Sequence, residues 1–191
     1  IKYDKNNFSI IENAPLDVFY KHRSLTYPDK KLKIVTHHWS TNLKKGFKYY
    51  KFIDEMCSKN IDFTFIGRLP PGFKFNNCKY IGAMGDNEEI SRILASKDVY
   101  LTASEEEAGA NHVLEALAAG LPIVYHQNGG SVPEYCNKYG LGFIDPKSMV
   151  ASIVNVANQY KKYKENVMTY DNNIDKTARE YLKVMLQDEK D

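Results

Sequence analysis

The chain is short of cysteine, of net charge and of long apolar runs, and each shortage excludes a class of protein. Its three cysteines, Cys57, Cys78 and Cys136, are widely spaced and odd in number. They therefore form neither a zinc-binding pattern nor a disulfide framework. So little cysteine suits a reducing compartment, and we expect a cytoplasmic location.

The charges nearly cancel, since 26 Lys and Arg residues stand against 24 Asp and Glu residues for a net charge of +2. Nucleic-acid-binding proteins usually gather their lysines into one basic stripe, whereas here they are spread, so no nucleic-acid partner is expected. The run YKKYKE over residues 160–165 is interpreted as a solvated helix face rather than a membrane-surface patch. No apolar run approaches the ~18 residues that a membrane-spanning helix needs, so no membrane span is expected.

What the chain contains fits one folded domain over residues 1–191, with 43% apolar and 26% charged residues. Short β-rich runs alternate with stretches of helical periodicity. The alternation predicts parallel strands joined by helical crossovers, an α/β doubly wound domain with a Rossmann-like sheet. The five predicted strands are KLKIVTHHW, IDFTFIG, KYIGAM, DVYLTAS and LPIVYH.

The C-terminal part, residues 146–191, is predicted to be helical. One amphipathic helix carries Val150, Ile153, Val154, Ala157 and Tyr160 on one face. A second carries Ala178, Tyr181, Leu182 and Met185, and the segment TYDNNID between the two supplies turn and N-cap residues.

Ligands of an open parallel sheet bind beyond the carboxyl ends of its strands, so binding residues are expected in the loops that follow the strands. The loop after the fourth strand holds Glu107, followed by the small residues Ala108 to Ala110. We interpret Asn111 as the N-cap of the next helix, which places Glu115 in its first turn. Free N–H groups at such a helix start suit a phosphate, and a carboxylate on either side suits hydroxyl groups. This arrangement fits a nucleotide sugar, although two such glutamates alone are more often a helix-dipole residue and a solvated one.

The segment SEEEAGANHVLEALAAGLPIVYHQNGGSVPEY resembles the signature of retaining GT-B glycosyltransferases of the large "glycosyl transferases group 1" family. Three further segments resemble this family: KKGFKYY, at the opening of the first helix, YIGAMGDNEEISRILASKDVYLTAS, which leads into the signature, and IIENAPLDVF, at the crossover from a first lobe. The positions that match the signature are Ser104, Glu107, Glu115, Ala116, Ala118, Gly120, Pro122, Gly129, Gly130 and Glu134.

The resemblance implies a role for each matching residue. Glu107 would be the catalytic residue and bind hydroxyls of the donor sugar, and Glu115 would bind the ribose. Lys45 would hold a diphosphate oxygen, and Ala83 and Met84 would line the base. The backbone N–H groups that would face the diphosphate or sugar belong to Gly109, Ala110, Asn111 and His112.

Two positions, Ser40 and Arg68, concern the contact that an arginine would make with the phosphates. Ser40 stands where the family usually has a phosphate-binding Arg, and His37 or His38 takes that role if the loop carries an insertion. Arg68 follows the second strand and reaches either a phosphate or a surface salt bridge. His112 and His126 are expected to pack through their rings, and Gly129 and Gly130 to form a tight turn before a short helix.

The resemblance also implies one lobe of a two-lobed GT-B enzyme. Residues 1–25 would be the crossover from an N-terminal lobe that carries the glycan acceptor site. The donor would be UDP- or GDP-linked, and no metal or other cofactor would be needed, in keeping with the lack of an Asp-x-Asp sequence. Two alternatives stay open: a sugar-nucleotide epimerase or hydrolase of the same fold, and a non-catalytic α/β interaction module.

Overall fold

The computed structural model of the chain describes residues 9–57 and 60–187. It shows a six-stranded sheet in the order β3-β2-β1-β4-β5-β6, and every neighbouring pair of strands is parallel. The strands are β1 (Leu32–His38), β2 (Ile61–Gly67), β3 (Lys79–Ile81), β4 (Val99–Thr102), β5 (Ile123–His126) and β6 (Gly140–Phe143). The helices are α1 (Phe47–Glu55), α2 (Asn87–Ala95), α3 (Asn111–Ala118), α4 (Val132–Cys136), α5 (Pro146–Asn158), α6 (Tyr160–Val167) and α7 (Ile174–Gln187). The predicted doubly wound α/β sheet is confirmed.

Each face of the sheet carries its own hydrophobic core. Helices α1 and α5 cover one face, where Tyr50 and Phe65 are fully buried. Helices α2, α3 and α4 cover the other, where Leu94 and Leu117 are fully buried. Burial on both faces explains why the central strands read as continuous apolar runs instead of alternating patterns. All five predicted strands are present.

Strand β6 was not predicted, and one predicted helix is divided in the structure. Strand β6 is Gly-Leu-Gly-Phe, and its two glycines hide the β-propensity that would mark a strand. The predicted helix through Tyr160 is in fact two helices, because the backbone at Gln159 leaves the helical region between α5 and α6. Val154, expected on the buried face, is half exposed, and Met149 and Val156 are buried instead.

The run YKKYKE is only partly the solvated face that was predicted. Lys161 and Lys162 are exposed, but Lys164 is 2% exposed and donates a hydrogen bond to the carbonyl oxygen of Gly120 at 2.7 Å. Burial lowers the pKa of Lys164 to about 8, against an opposing effect of Asp98. Lys164 therefore fixes α6 against the end of α3.

The N-terminal segment packs along the C-terminal helices. Arg23 donates hydrogen bonds to the carbonyl oxygens of Met168 and Tyr170, both at 2.8 Å. Thr177 at the start of α7 donates to the carbonyl oxygen of Glu12 at 3.0 Å. These contacts are compatible with the predicted division at residues 25 and 146, which remains a prediction, and residues 1–8 of the predicted crossover lie outside the described residues.

Helix α7 is amphipathic as predicted, but its apolar side faces outward. Tyr181, Leu182 and Met185 are each more than half exposed. Within residues 9–57 and 60–187, no helix has both the length and the apolar character that crossing a membrane requires.

The order of the strands places the binding edge between β1 and β4. The chain runs outward from β1 to β3 in one direction and from β4 to β6 in the other, so the crossover between the two halves leaves a crevice beside these strands. In sheets of this type ligands bind in that crevice, beyond the carboxyl ends. A ligand is therefore expected to contact the loops that follow β1 and β4.

Gly46 fixes the approach of these two loops. Its φ is +80°, and a Cβ built on it would lie 2.1 Å from the carbonyl oxygen of Ala103 at the end of β4. We expect Gly46→Ala to lower the free energy of unfolding by more than the ~1–2 kcal/mol that the left-handed conformation alone costs, because the backbones must also separate. Urea denaturation measures the loss. Gly82→Ala, where an added Cβ meets nothing within 4 Å, is the control, and equal small losses in the two variants would contradict the prediction.

Candidate active site

The loops after β1 and β4 enclose a cavity of about 320 Å³ at the crevice between the two halves of the sheet. It combines one lysine, one carboxylate and the first residues of α3. Its lining residues are His38, Trp39, Ser40, Lys45, Gly109, Asn111, His112 and Glu115. Seven of these eight residues were named from the sequence, and Trp39 was not.

The start of α3 contributes Gly109, Asn111 and His112 to the wall of this cavity. Within the described part of the chain, the N–H groups of Gly109, Ala110 and His112 have no acceptor, as expected for a helix start. The N–H of Asn111 is not available, because it donates to the carbonyl oxygen of Gly109 at 3.0 Å. The predicted backbone cluster therefore consists of three N–H groups instead of four.

The prediction that Asn111 is the N-cap is wrong. Ala110 occupies that position, and Asn111 is the first helical residue. The tight turn from Gly109 to Asn111 brings the backbone into the helix one residue early, and the Asn111 side chain accepts a long bond of 3.4 Å from Asn13. Glu115 consequently lies in the second turn of α3, not in the first.

Lys45 and Glu107 form an ion pair at the edge of the cavity. Lys45 Nζ contacts Glu107 Oε2, and the two side chains are only 16% and 11% exposed. Glu107 does not line the cavity itself, whereas Lys45 does. Ser131 holds the backbone of Glu107. The carbonyl oxygen of Glu107 accepts hydrogen bonds from the Ser131 N–H at 3.0 Å and from the Ser131 hydroxyl at 3.2 Å.

The predicted Gly-Gly turn forms the support for Glu107. Gly130 has a φ of +65°, and a Cβ on it would lie 2.2 Å from the carbonyl oxygen of Glu107. Gly129 and Gly130 precede the short helix α4, which has Pro133 in its first turn, as predicted. The glycines therefore act on the site through the backbone that carries Glu107.

The two histidines at the end of β1 contact different groups. The ring of His38 packs against Phe47 and Phe65, with centroids 5.3 and 4.9 Å away, on the other side of the strand from His37. Burial, helped by the charge of Lys45, lowers the pKa of His38 to about 3, so this ring is uncharged at neutral pH. His37 binds Glu115 instead, with its Nε2 2.6 Å from Oε2.

His112 packs through its ring, as predicted. Its Nε2 lies 3.2 Å from the hydroxyl of Thr102, and its Nδ1 lies 4.0 Å from Glu107 Oε2. Burial lowers the pKa of His112 well below its usual range, with a smaller contribution from His37. Lys45 is therefore the only charged basic side chain among the described residues that line this cavity. Outside it, His126 packs against Tyr49 and Phe143, again as predicted.

A second cavity, of about 340 Å³, adjoins the first at Trp39. Its other lining residues are Arg68, Ala83, Met84, Gly85 and Asn87. The residues predicted to line the base are thus together, and Arg68 joins them on this side instead of lining the cavity with Lys45. Among the described residues Arg68 has no ion-pair partner. Trp39, 42% exposed, forms a wall of both cavities.

The fold recurs in solved glycosyltransferase structures. A glycosyltransferase from Rickettsia africae matches 98% of this chain at 15% identity with a TM-score of 0.75. HepE from Anabaena, in complex with UDP and glucose, matches 93% of this chain at 13% identity with a TM-score of 0.69. The pneumococcal O-GlcNAc transferase GtfA, in complex with UDP and GlcNAc, matches 88% at 13% identity and 0.63. At these identities the likeness concerns the fold.

The chain spans only part of each of these proteins. It covers 59% of the Rickettsia chain, 56% of HepE and 38% of GtfA. No protein among the curated sequences matches it. The family model described as glycosyl transferases group 1, however, matches residues 74–181, which is more than half of the chain and includes the loop of Glu107, all of α3 and the Gly-Gly turn. The chain therefore belongs to the glycosyl transferases group 1 family.

Proposed function

We propose that the chain is the donor-binding lobe of a retaining glycosyltransferase, which transfers a hexose-type sugar from a UDP- or GDP-linked donor to a glycan or similar acceptor. One observation carries the proposal. A lysine, a carboxylate and a helix start with free N–H groups line one cavity at the switch point of the sheet, and a second carboxylate, Glu107, pairs with the lysine at the edge of this cavity. This set of groups is complementary to a diphosphate with a hydroxyl-rich ring on either side.

The diphosphate would occupy the cavity in front of α3. The N–H groups of Gly109, Ala110 and His112 donate to its oxygens, and the positive end of the helix dipole favours its charge. Lys45 lines the same cavity and brings the one full positive charge. These groups also suit the bond-breaking step, because the charge on the leaving diphosphate grows as the sugar departs. A metal ion is not required for this role.

The nucleoside would extend from the first cavity into the second. Glu115 lines the first cavity and accepts hydrogen bonds from the ribose hydroxyls. The base then lies in the second cavity beside Ala83 and Met84, with Arg68 at its rim. Trp39 lines both cavities, so its indole would contact the donor at the junction of ribose and base.

The sugar would lie on the side of Glu107. Its carboxylate accepts hydrogen bonds from sugar hydroxyls once Lys45 has turned to the diphosphate. Ser131 and the close approach of Gly130 hold the backbone that carries this carboxylate, as a residue that contacts the reacting ring requires. The family resemblance implies that the sugar keeps its anomeric configuration on transfer.

The acceptor is proposed to bind on a second lobe. Transfer requires that donor and acceptor be held in one geometry and that water be excluded, and this positioning contributes several kcal/mol to catalysis. The groups described above contact the donor from one side only. We therefore expect transfer by the 191-residue chain to be absent, and to appear when the chain is joined to a lobe that carries the acceptor site.

A thermal-shift panel tests donor binding directly. We expect one of UDP, GDP and ADP, and the matching nucleotide sugars, to raise the melting temperature in a concentration-dependent way, since a ligand that binds only the folded state stabilises it. Uridine, guanosine and adenosine serve as controls that lack the diphosphate. A chain that responds to none of the nucleotides would be an interaction module. Free sugar or an isomerised nucleotide sugar as the product of the joined protein would indicate a hydrolase or an epimerase.

A further inference from the structure

We propose that His37 is a positioning residue for the donor: it orients Glu115 so that one carboxylate oxygen is presented to the ribose. The inference rests on the proposed function and assigns a task to a side chain that does not line the site. His37 is the next-to-last residue of β1, and its ring is 1% exposed. It reaches the site only through Glu115.

The contact between the two side chains is short and specific. His37 Nε2 lies 2.6 Å from Glu115 Oε2, and Glu115, 25% exposed, lines the cavity that we assign to the diphosphate and ribose. A contact of this length between a ring nitrogen and a carboxylate oxygen contains a proton. The position of that proton decides what His37 does.

Two neighbouring rings pack against the ring of His37. Tyr100 and His112 meet it edge to face, at centroid distances of 5.5 and 6.3 Å. The hydroxyl of Tyr100 accepts from the His37 backbone N–H at 3.2 Å and donates to the His37 carbonyl oxygen at 3.0 Å. Burial raises the pKa of Tyr100 well above its usual range, so this hydroxyl stays a donor. The backbone of His37 is therefore held by Tyr100, and the rings of Tyr100 and His112 bound the space that the imidazole occupies.

The other ring nitrogen shows which atom carries the proton. His37 Nδ1 is buried and has no hydrogen-bond partner among the described residues. A proton on Nδ1, in a neutral or a charged ring, would bury a donor without an acceptor, and in the neutral ring Glu115 would also have to carry the proton of the 2.6 Å contact. With the proton on Nε2, the ring donates to an ionised Glu115 and only a lone pair is buried. His37 is therefore a hydrogen-bond donor to Glu115.

This bond gives the two oxygens of the Glu115 carboxylate different partners. Oε2 accepts from His37, which fixes the plane of the group and leaves Oε1 for the ribose hydroxyls. A carboxylate that is already held in its binding orientation loses less conformational freedom when the ligand arrives. Without His37 the carboxylate turns freely, and recognition of the ribose weakens while the contacts to base and diphosphate remain.

The test compares ligands with and without the ribose hydroxyls. Calorimetry gives the affinities of UDP and 2′,3′-dideoxy-UDP, or of the corresponding guanine pair where the panel selects GDP, for the wild type and for His37→Leu, His37→Gln and Glu115→Ala. Glu115 should give the wild type a preference of ~10- to 100-fold for the ribose form. We expect His37→Leu to reduce this preference about tenfold, with unchanged affinity for the dideoxy form. His37→Gln should keep most of the preference, because its amide nitrogen donates from nearly the same place.

The outcomes separate this inference from the function on which it rests. An unchanged preference in His37→Leu would overturn the inference, and so would an equal loss for both ligands in a variant that melts like the wild type. If His37→Gln fails as fully as His37→Leu, the ring is needed for packing and not as a donor. A wild type that binds neither ligand, or an unaltered preference in Glu115→Ala, would overturn the proposed function as well.

Discussion

Lys45→Ala is expected to weaken the binding of nucleoside diphosphates by ~10- to 100-fold and to leave nucleoside binding nearly unchanged. Hydrogen bonds to charged groups contribute ~1.5–3 kcal/mol, which corresponds to this range of affinity. The effect should be at the upper end of the range, because Lys45 is the only charged basic side chain among the described residues lining the cavity. The variant also leaves the Glu107 carboxylate without its cation, close to the incoming phosphates.

Calorimetry at two salt concentrations checks this result, since the loss should shrink as salt screens the charges. Lys44→Ala is the matched control. Lys44 is the preceding residue and also pairs with a glutamate, Glu106, at 2.7 Å, but it is 53% exposed and lies outside the cavity. If Lys45→Ala lowers the affinity for the nucleoside as much as the affinity for the nucleoside diphosphate, Lys45 has a structural role and the assignment of the phosphate position is wrong.

Glu107→Gln is expected to have opposite effects on two ligands. The affinity for the nucleotide sugar should fall about tenfold or more, because a neutral amide replaces the carboxylate that accepts the sugar hydroxyls. The affinity for the free nucleoside diphosphate should rise by roughly threefold to tenfold. The gain arises because Lys45 is bound to Glu107 before the ligand arrives, and the diphosphate no longer has to break that pair.

This competition also provides a reason for product release. If the proposed function is right, re-formation of the Lys45–Glu107 pair after the sugar has been transferred would favour release of the diphosphate. Titrations of UDP and UDP-sugar, or of the guanine pair, into the wild type and Glu107→Gln measure both changes. Glu106→Gln, which removes the exposed carboxylate partner of Lys44, is the control. Equal losses for the two ligands would show that Glu107 acts on the fold or on the phosphate, not on the sugar.

Much of the fold follows from local patterns. The central strands are buried on both faces, so their apolar runs predict parallel strands, and the parallel arrangement in turn indicates the edge where loops meet. Strand β6 has no such pattern, because two of its four residues, Gly140 and Gly142, have no side chain. At Gly140 a side chain would not fit, since a Cβ there would lie 1.8 Å from the carbonyl oxygen of Ile123. Tertiary packing, not propensity, makes this segment a strand.

The site was predictable where the chain's own order brings residues together. Glu107, Glu115 and the start of α3 are neighbours in sequence, and Lys45 follows the adjacent strand. The contacts that cross between elements were not predictable. His37 meets Glu115 from 78 positions away, and the pairing of Lys45 with Glu107 depends on how closely Gly46 approaches Ala103. Trp39 carried one signal, as the single tryptophan directly after a strand, but its place between two cavities depends on the loop at Met84.

A crystal structure of the chain with the nucleoside diphosphate that the thermal-shift panel selects tests the central claim most directly. The account predicts the diphosphate within hydrogen-bond distance of Lys45 Nζ and of the N–H groups of Gly109, Ala110 and His112. It further predicts a ribose hydroxyl on Glu115 and the base in the cavity beside Met84. A nucleotide bound away from the start of α3, or one whose phosphates leave Lys45 paired with Glu107, would contradict the account.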